Sequence, residues 1–437
     1  MQLLLLELNE VNFGFIRRYA ERGHLPVLHR LITRHGVAET VSEERYEHLE
    51  PWIQWVTAHT GRPFASHRIF RLGDIVNSDL PQIWEQLEQC GLKVGAISPM
   101  NAKHRLRDPA FFVPDPWTST NITAPTTLKW LYRGIAQAVN DNADARISVS
   151  SMLGLLAGFL NYASPSSYPE YIRLTLGSWR GPWRRAMFLD LLLAEVFIRE
   201  LRRTRPHFAS LFLNAAAHIQ HHYLFCSPFY AGPHRNPSWY VSPEADPVLE
   251  VYRLYDAIVG RIEAAFPEAR LMLATGLHQD AHEQSTFYWR LRRHDEFLRS
   301  IGVPFATVEP RMSRDFLITC SSAEEARVAE RILKSAIASD GQPLFEVDNR
   351  GTDLFVMLVY PHDISADFEF RIGERVFSGL RKDVSFVALK NGQHNGIGYF
   401  LDTGVKPGRA PERFALAELP NRVMAALGVL PSSSLVA

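Results

Sequence analysis

A histidine-rich segment follows the apolar run Phe208–Leu213 and has the residue types that bind metal ions. If a helix begins near Asn214, then Asn214, His218, His221 and His222 fall on one face of it, because residues three and four apart are neighbours on a helix. Two or three neutral imidazoles on one face can bind a single divalent ion such as zinc, manganese or iron. We expect this segment to contact a metal ion or a substrate; a helix face of hydrogen-bonded histidines is the alternative.

Further polar side chains follow other apolar runs that are typical of buried strands. In open α/β sheets, ligands bind beyond the carboxyl ends of the strands, so these positions are candidates for the same site. The candidates are Glu7, Asn9 and Glu10 near the N-terminus, His278 and Gln279 later, and His394 within the Gly-punctuated stretch 391–396, which we interpret as a loop. The alternatives are structural: Glu7 and Asn9 as helix caps, and His394 as a surface residue.

Glu50 precedes a segment that is predicted to form a helix beginning at Pro51. The free N–H groups at the start of a helix attract anions such as phosphate. A carboxylate at that point can act as a general base for water or for a sugar hydroxyl. Plain helix capping is the alternative for Glu50.

Short apolar runs alternate with amphipathic segments along much of the chain, which predicts an α/β fold with a doubly wound, mainly parallel sheet covered on both faces. The predicted strands are Leu3–Leu6 (extended by Leu8), Val94–Ser98, Phe208–Leu213, Arg270–Thr275 and Tyr399–Asp402. The predicted helices of this core are 12–22, 79–91, 247–266 and 416–427.

Two stretches interrupt the alternation. Residues 120–205 are rich in helix formers and aromatic residues, and we expect a helical insertion there. Residues 313–361 are expected to form a small α+β unit, which divides the core into 1–312 and 362–437. Within this unit we expect a strand at 315–320, a helix from the capping box at Ser322 to about Ala338, and a hairpin around 349–351.

The composition excludes several classes of protein. Lys+Arg and Asp+Glu both number 47 in 437 residues, so no overall positive charge favours nucleic acid. The three cysteines are far apart, which suits a reducing compartment. The apolar run Met152–Leu160 is too short to cross a bilayer, which takes about 20 residues. We therefore expect a cytoplasmic protein without a transmembrane segment; attachment to a membrane surface through residues 147–163 is the alternative.

Taken in order, several segments resemble the alkaline phosphatase superfamily, particularly its type I phosphodiesterase/nucleotide pyrophosphatase branch. The matching segments are Leu3–Asn9 with Gly23–Ile32, then Trp55 with Thr60, Gly61 and His67, then His221, then the helix 252–266, and finally His394, Gly396 and Gly398 followed by 416–431. The resemblance covers most of 1–115 and 205–290, and also 390–431. It implies an alkaline-phosphatase-like fold.

The resemblance also implies where metal ligands should lie. Asn9, His221 and His394 fall on ligand positions of the family, but Asn9 stands where the family has aspartate. Pro51 occupies the position of the nucleophilic Thr or Ser, and Ala217 that of another aspartate. We therefore expect one divalent ion, zinc or manganese, rather than the family's pair. The remaining site residues are predicted to be Glu50 and His48 for catalysis and Glu7, Asn214, His218 and Gln279 for substrate binding.

These observations favour a metal-dependent hydrolase or transferase that acts on a phosphate- or sulfate-type ester, with phosphodiesterase-like and sulfatase-like activities both included. A glycan or a nucleotide-like small molecule is a suitable substrate, because aromatic residues of the helical insertion could line an extended cleft. The main alternative is a catalytically inactive superfamily member that binds an anionic or glycan ligand. A protein–protein scaffold built on residues 120–205 is a third hypothesis. The sequence leaves the substrate and the oligomeric state open.

Overall fold

The computed structural model describes residues 2–140, 148–311, 314–406 and 412–429. The chain divides into two compact units, one formed by residues 1–281 and 392–437 and the other by residues 282–391.

The strands are β1 Leu3–Leu8, β2 Ala38–Val41, β3 Val94–Ile97, β4 Phe111–Val113, β5 Phe208–Leu213, β6 Arg270–Ala274, β7 His278–Leu291, β8 Thr307–Pro310, β9 Asp315–Thr319, β10 Ala336–Ala338, β11 Phe345–Asn349, β12 Asp353–Leu358, β13 Glu369–Ile372, β14 Arg375–Ser378, β15 Val384–Asn395, β16 Ile397–Asp402 and β17 Phe414–Ala415. The α-helices are α1 Phe13–Glu21, α2 Pro26–His35, α3 Pro51–Thr60, α4 Phe64–His67, α5 Ile83–Gln89, α6 Thr126–Asn140, α7 Val149–Tyr162, α8 Tyr168–Gly177, α9 Arg184–Thr204, α10 Ala215–Tyr223, α11 Pro247–Ala265, α12 His294–Ser300, α13 Ala323–Lys334, α14 Leu380–Asp383 and α15 Leu419–Ala426.

The first unit contains a sheet with the strand order β17-β2-β16-β6-β1-β5-β3-β4. The neighbours from β6 to β4 pair in parallel, so the predicted doubly wound, mainly parallel sheet is confirmed. β16, the predicted late strand, departs from this pattern because it runs antiparallel to both β6 and β2. After β6 the chain leaves this sheet through β7 and returns through β15, the partner of β7, so β16 enters the sheet at the edge where β6 ends and runs in the opposite direction.

β1 is buried along its whole length because helices cover both faces of the sheet. Its side chains alternate between two apolar cores. Leu4, Leu6 and Leu8 pack in the larger core, which includes residues of α1, α9, α10 and α11. Leu3 and Leu5 pack in the other core with residues of α3, α5 and α15. Packing on both faces therefore holds β1 in place and fixes the position of the residues that follow it.

The segment expected to be a helical insertion contains α6, α7, α8 and α9. The last of these also covers the sheet, because its buried face contributes Leu191, Val196 and Phe197 to the larger core. Among the described residues, no helix has an apolar stretch long enough to cross a membrane.

The second unit has its own apolar core, and its described residues include the antiparallel sheets β10-β13-β14 and β11-β12-β9-β8. The hairpin expected around 349–351 is formed by β11 and β12, with Phe345 opposite Leu358. α13 begins after its Ser322 cap but ends at Lys334, short of the expected Ala338, because Ala336–Ala338 instead pair with β13. The unit extends beyond the expected 313–361 because α12, β13 and β14 lie within 282–391.

Candidate metal centre

The chain leaves β1 at Asn9 and Glu10, where the backbone is held by both neighbouring strands. The Asn9 N–H donates to Leu213 O at 3.0 Å, and the Glu10 N–H donates to Thr275 O at 3.1 Å. Glu10 has a φ of 58°, in the left-handed region that residues other than glycine seldom adopt. Non-glycine residues in this region are concentrated at functional sites. The Glu10 carbonyl also accepts from Gln220 Nε2 at 2.8 Å, so this turn is fixed by packing from α10.

Three side chains converge at this turn. Glu10 Oε2 lies 3.1 Å from His221 Nε2 and 3.2 Å from His394 Nε2. The two Nε2 atoms lie 3.3 Å from each other. The carboxylate is buried, and the His394 and His221 side chains are 12% and 30% exposed, so the group opens towards solvent on the histidine side. We call these three residues the Glu10 cluster.

Two separate elements deliver the imidazoles. α10 begins immediately after β5 and places His221 in its last turn. His394 lies near the end of β15, which pairs with β7. The prediction that residues 391–396 form a loop is therefore wrong for His394, because β15 continues through Asn395.

The charge of Glu10 is maintained despite its burial. Burial by itself would raise the pKa of this carboxyl, but attraction and hydrogen bonding from the His394 and His221 imidazoles outweigh it, and the pKa lies well below its usual range. Asn9 Nδ2 donates to Glu10 Oε1 at 3.1 Å, and Gln279 Nε2 donates to Glu10 Oε2. Glu10 is therefore a carboxylate at neutral pH, as a metal ligand must be.

The Glu10 cluster fits a divalent ion. Its donor atoms all lie within 4.8 Å of one another. Two donors that each lie about 2.1 Å from one ion at the tetrahedral angle are roughly 3.4 Å apart, close to the distances found here. Two histidines and one glutamate form the ligand set of zinc sites that keep a fourth position open for water or substrate. The cluster can thus hold an ion and leave it accessible.

Asn9, the predicted third ligand, lies beside the cluster. Its Oδ1 accepts from Trp55 Nε1 at 2.7 Å, and its Nδ2 donates to Asn214 Oδ1 at 2.8 Å as well as to Glu10. Asn9 thereby links α3 and the start of α10 to the Glu10 carboxylate. Asn214, predicted to bind substrate, is linked to Glu10 by two hydrogen bonds through this amide.

Two other predicted residues contact the cluster. Gln279 bridges Glu10 to α10, because its Nε2 also donates to Ala217 O at 3.0 Å. Glu50 is the N-cap residue of α3, and its Oε2 lies 3.9 Å from His394 Nδ1. A carboxylate on the Nδ1 side of a metal-binding histidine commonly orients the ring. Glu50 can therefore orient His394 as well as accept a proton.

The remaining predicted residues make other contacts. Glu7 is buried within β1 and pairs with the buried His59, whose Nε2 lies 3.1 Å from Glu7 Oε1. The His48 ring packs on Phe64, with 4.3 Å between the ring centroids. The exposed His218 packs its ring against His222, with 4.9 Å between the centroids.

Glu10 was one of several acidic candidates in the sequence, and no motif singled it out. The only sequence signal for Glu10 is its position two residues after a buried strand. Asn9, one residue closer to the strand, has the same signal. His278 was also a candidate: its Nε2 lies 3.2 Å from Asp280 Oδ1, and Asp280 Oδ2 accepts from Asn395 Nδ2 at 2.7 Å. This second polar group borders a cavity of about 420 Å³ beside α1.

His67, which matches a histidine of the resembled family, is a structural residue whose titration should be measurable. Its Nε2 lies 3.2 Å from Thr57 Oγ1, its Nδ1 accepts from the Ile69 N–H at 3.0 Å, and burial lowers its pKa to about 4. The unfolded chain binds a proton below about pH 6.5, whereas folded His67 does not, so stability is lost as the pH falls from about 6.5 to about 4. Urea unfolding at several pH values should show this loss, and the loss should be smaller in His67→Gln. The exposed His29→Gln is the control; equal pH dependence in both variants would contradict the assignment.

Comparisons with known proteins give structural matches only. No protein-family profile and no curated protein sequence matches the chain. Phosphonoacetate hydrolase from Sinorhizobium meliloti, solved with phosphonoacetate, matches with 12% identity and a TM-score of 0.43 over 98% of this chain and 96% of the other. Human ectonucleotide pyrophosphatase/phosphodiesterase 5, and the murine protein in complex with AMP, each match with 10% identity and a TM-score of 0.46 over 99% of this chain and 96% of theirs.

Proposed function

We propose that the protein is a metal-dependent hydrolase or transferase that acts on a phosphate- or sulfate-type ester, with one divalent ion held by the Glu10 cluster. The observation that carries the proposal is the convergence of Glu10 Oε2, His221 Nε2 and His394 Nε2 within 3.3 Å of one another. The resemblance of the sequence supplies the ester class. Zinc or manganese suits the donor set, since imidazole and carboxylate both bind these ions.

A bound divalent ion supplies Lewis-acid activation of water and of the ester oxygen. The residues of the chain supply the rest. Glu10 contributes a negative charge, and Asn9 and Gln279 donate hydrogen bonds to its two oxygens. Glu50 is placed to orient His394 or to receive a proton from the attacking hydroxyl or water. The N-terminus of α3, where Glu50 is the cap, favours an anionic group nearby.

The absence of a hydroxyl at position 51 bears on the chemical route. Pro51 is the first residue of α3, where the resembled family has a Thr or Ser that becomes covalently modified. A proline cannot accept the transferred group, so transfer should pass directly to water or to an acceptor hydroxyl. The same observation favours the second candidate function, a non-catalytic protein that binds an anionic or glycan ligand at the Glu10 cluster.

Metal analysis and ester assays distinguish these two functions. Protein purified without chelator is expected to contain about one zinc or manganese ion per chain. With either ion added, it should cleave at least one of nitrophenyl phosphate, a nitrophenyl phosphodiester and nitrophenyl sulfate. His221→Ala should remove most of the ion, because only two donors remain.

Two variants control this experiment. His222→Ala removes the neighbouring histidine of α10, which is not one of the three donors, and should retain the ion. Glu50→Gln leaves the three donors in place, so at saturating zinc or manganese it should lower kcat by about 100-fold if Glu50 transfers a proton. Metal-free protein that is inert towards all three esters would support the binding function. Metal-loaded protein that is inert towards all three would reject this ester class.

A further inference from the structure

Three helices of the first unit expose a large amount of apolar surface. α6 exposes Trp130, α7 exposes Met152, Leu153, Leu156 and Leu160, and the α8 region exposes Tyr168, Ile172, Leu176 and Trp179. Leu160 is 65% exposed, Leu176 is 70% exposed and Trp179 is 91% exposed. Single exposed apolar residues are normal, but a patch of this size marks a surface that another molecule covers. We call the eight exposed residues of α7 and of the α8 region the apolar patch; Trp130 of α6 is exposed separately.

The spacing of these residues gives each helix a stripe. Met152, Leu153, Leu156 and Leu160 fall within about 100° of one another around α7, and Ile172 and Leu176 are one turn apart on α8. The opposite side of α7 is occupied: Gly154 and Gly158 lie against Trp130 and Leu131 of α6, where a Cβ atom would lie within 3 Å of α6 atoms. This close contact of α6 with α7 turns the leucine stripe away from α6.

The stripes of α7 and α8 meet at their edges. Phe159 adjoins the leucine stripe on α7, and its ring stacks with that of Tyr168 at 6.2 Å between centroids. Tyr168 begins α8, one turn before Ile172. The two stripes are therefore parts of one continuous surface, and exposed Trp179 extends it just beyond the end of α8.

The surroundings of the apolar patch are positively charged. By sequence, residues 126–185 contain seven basic and three acidic residues, and the basic residues that the structure describes there are Lys129, Arg133, Arg173, Arg180, Arg184 and Arg185. Arg173 pairs with Glu170, and Arg184 pairs with Glu250. Within the described residues the other four have no ion pair. A protein with a net charge of zero thus has a local excess of positive charge beside its exposed apolar patch.

We infer that the apolar patch binds the surface of an anionic lipid membrane. Leucine and tryptophan side chains enter the boundary between headgroups and acyl chains, while arginine and lysine contact acidic headgroups. α7 has 14 residues, about 21 Å of helix, which is shorter than the roughly 30 Å hydrocarbon core, so it lies in the interface rather than across it. A second copy of the chain is the poorer occupant, because a symmetric contact would bring the same basic residues together. The inference does not depend on the proposed function.

Vesicle flotation tests the inference directly. The full-length protein is expected to float with vesicles in which a third of the phosphatidylcholine is replaced by phosphatidylglycerol, and to float far less with pure phosphatidylcholine or at high salt. The double variant Leu156→Glu/Leu160→Glu should reduce the bound fraction about tenfold or more, because two apolar anchors become charged. Arg180→Glu should reduce binding by about fivefold or more, through charge alone.

The exposed Val376→Glu is the matched control, since it makes the same kind of change on a strand of the second unit. Thermal unfolding of each variant checks that the fold is retained; if the double variant fails to fold, Trp179→Ala replaces it. Binding that is absent, or equal in wild type and variants, would overturn the inference. A dimer in solution that the leucine substitutions dissociate would also overturn it and assign the apolar patch to a second copy.

Discussion

Replacing Glu10 with glutamine is expected to lower the affinity of the protein for zinc by more than about 100-fold, since even residues that only support a ligand cost 10- to 100-fold. Glutamine has nearly the shape of glutamate but lacks the charge that balances a divalent cation. The two histidines would still lie close together, so the loss measures the contribution of the carboxylate. Competition with a chromophoric chelator at constant pH gives the affinity.

Glu7→Gln provides the control for this prediction. Glu7 and Glu10 are both buried glutamates at the end of β1, but Glu7 pairs with His59 and not with the Glu10 cluster. Zinc affinity in Glu7→Gln should stay within about twofold of wild type, because no ligand and no residue that supports one changes. If Glu10→Gln also retained wild-type affinity, Glu10 would be a hydrogen-bonding residue and the ion would need another third ligand.

The second large effect is expected on stability. Replacing Glu7 with alanine should reduce the free energy of unfolding by about 3 kcal/mol, because it leaves His59 buried without its partner and opens a cavity beside β1. His59 is 1% exposed, and its Nε2 has Glu7 Oε1 as a partner at 3.1 Å. Urea unfolding monitored by tryptophan fluorescence is suitable, since the His59 ring lies 4.6 Å from that of Trp84.

Metal content separates this structural role from the substrate-binding role that the sequence suggested for Glu7. Glu7→Ala should contain as much zinc as wild type when it is folded. Glu7→Gln, which can still pair with His59, should lose only about 1 kcal/mol of stability. A Glu7→Ala protein as stable as wild type, but with impaired turnover of an ester, would restore the substrate-binding prediction.

The parts of the fold that the sequence predicts well are those set by local pattern. β1, β5 and β6 are short apolar runs ending in polar residues, and the structure places all three side by side. α10 begins directly after β5, as the interpretation of the histidine-rich segment assumed. Because parallel strands end at one edge of a sheet, the polar residues that follow β1 and β5 are expected to lie close together.

The details that the sequence did not predict depend on contacts between distant residues. The difference between Asn9 and Glu10 depends in part on Trp55, which lies 46 residues away and donates its Nε1–H to the side-chain Oδ1 of Asn9. His394 was expected in a loop because Gly392 and Gly396 are typical of turns. In the structure Gly392 lies within β15, and a residue with a side chain would not fit there because Gln279 Oε1 and Gln220 O occupy the space. No local pattern encodes these partners.

The wide separation of the three donors along the chain has a consequence for biosynthesis. Glu10 is made near the start of translation and His394 near the end, and at 5–20 residues per second the interval is roughly 20 to 80 seconds. Any ion captured by the nascent polypeptide during that time meets at most two of the three donors. The complete donor set of the proposed ion therefore exists only after His394 has been synthesised, so full coordination is completed late in the synthesis of the chain or after it.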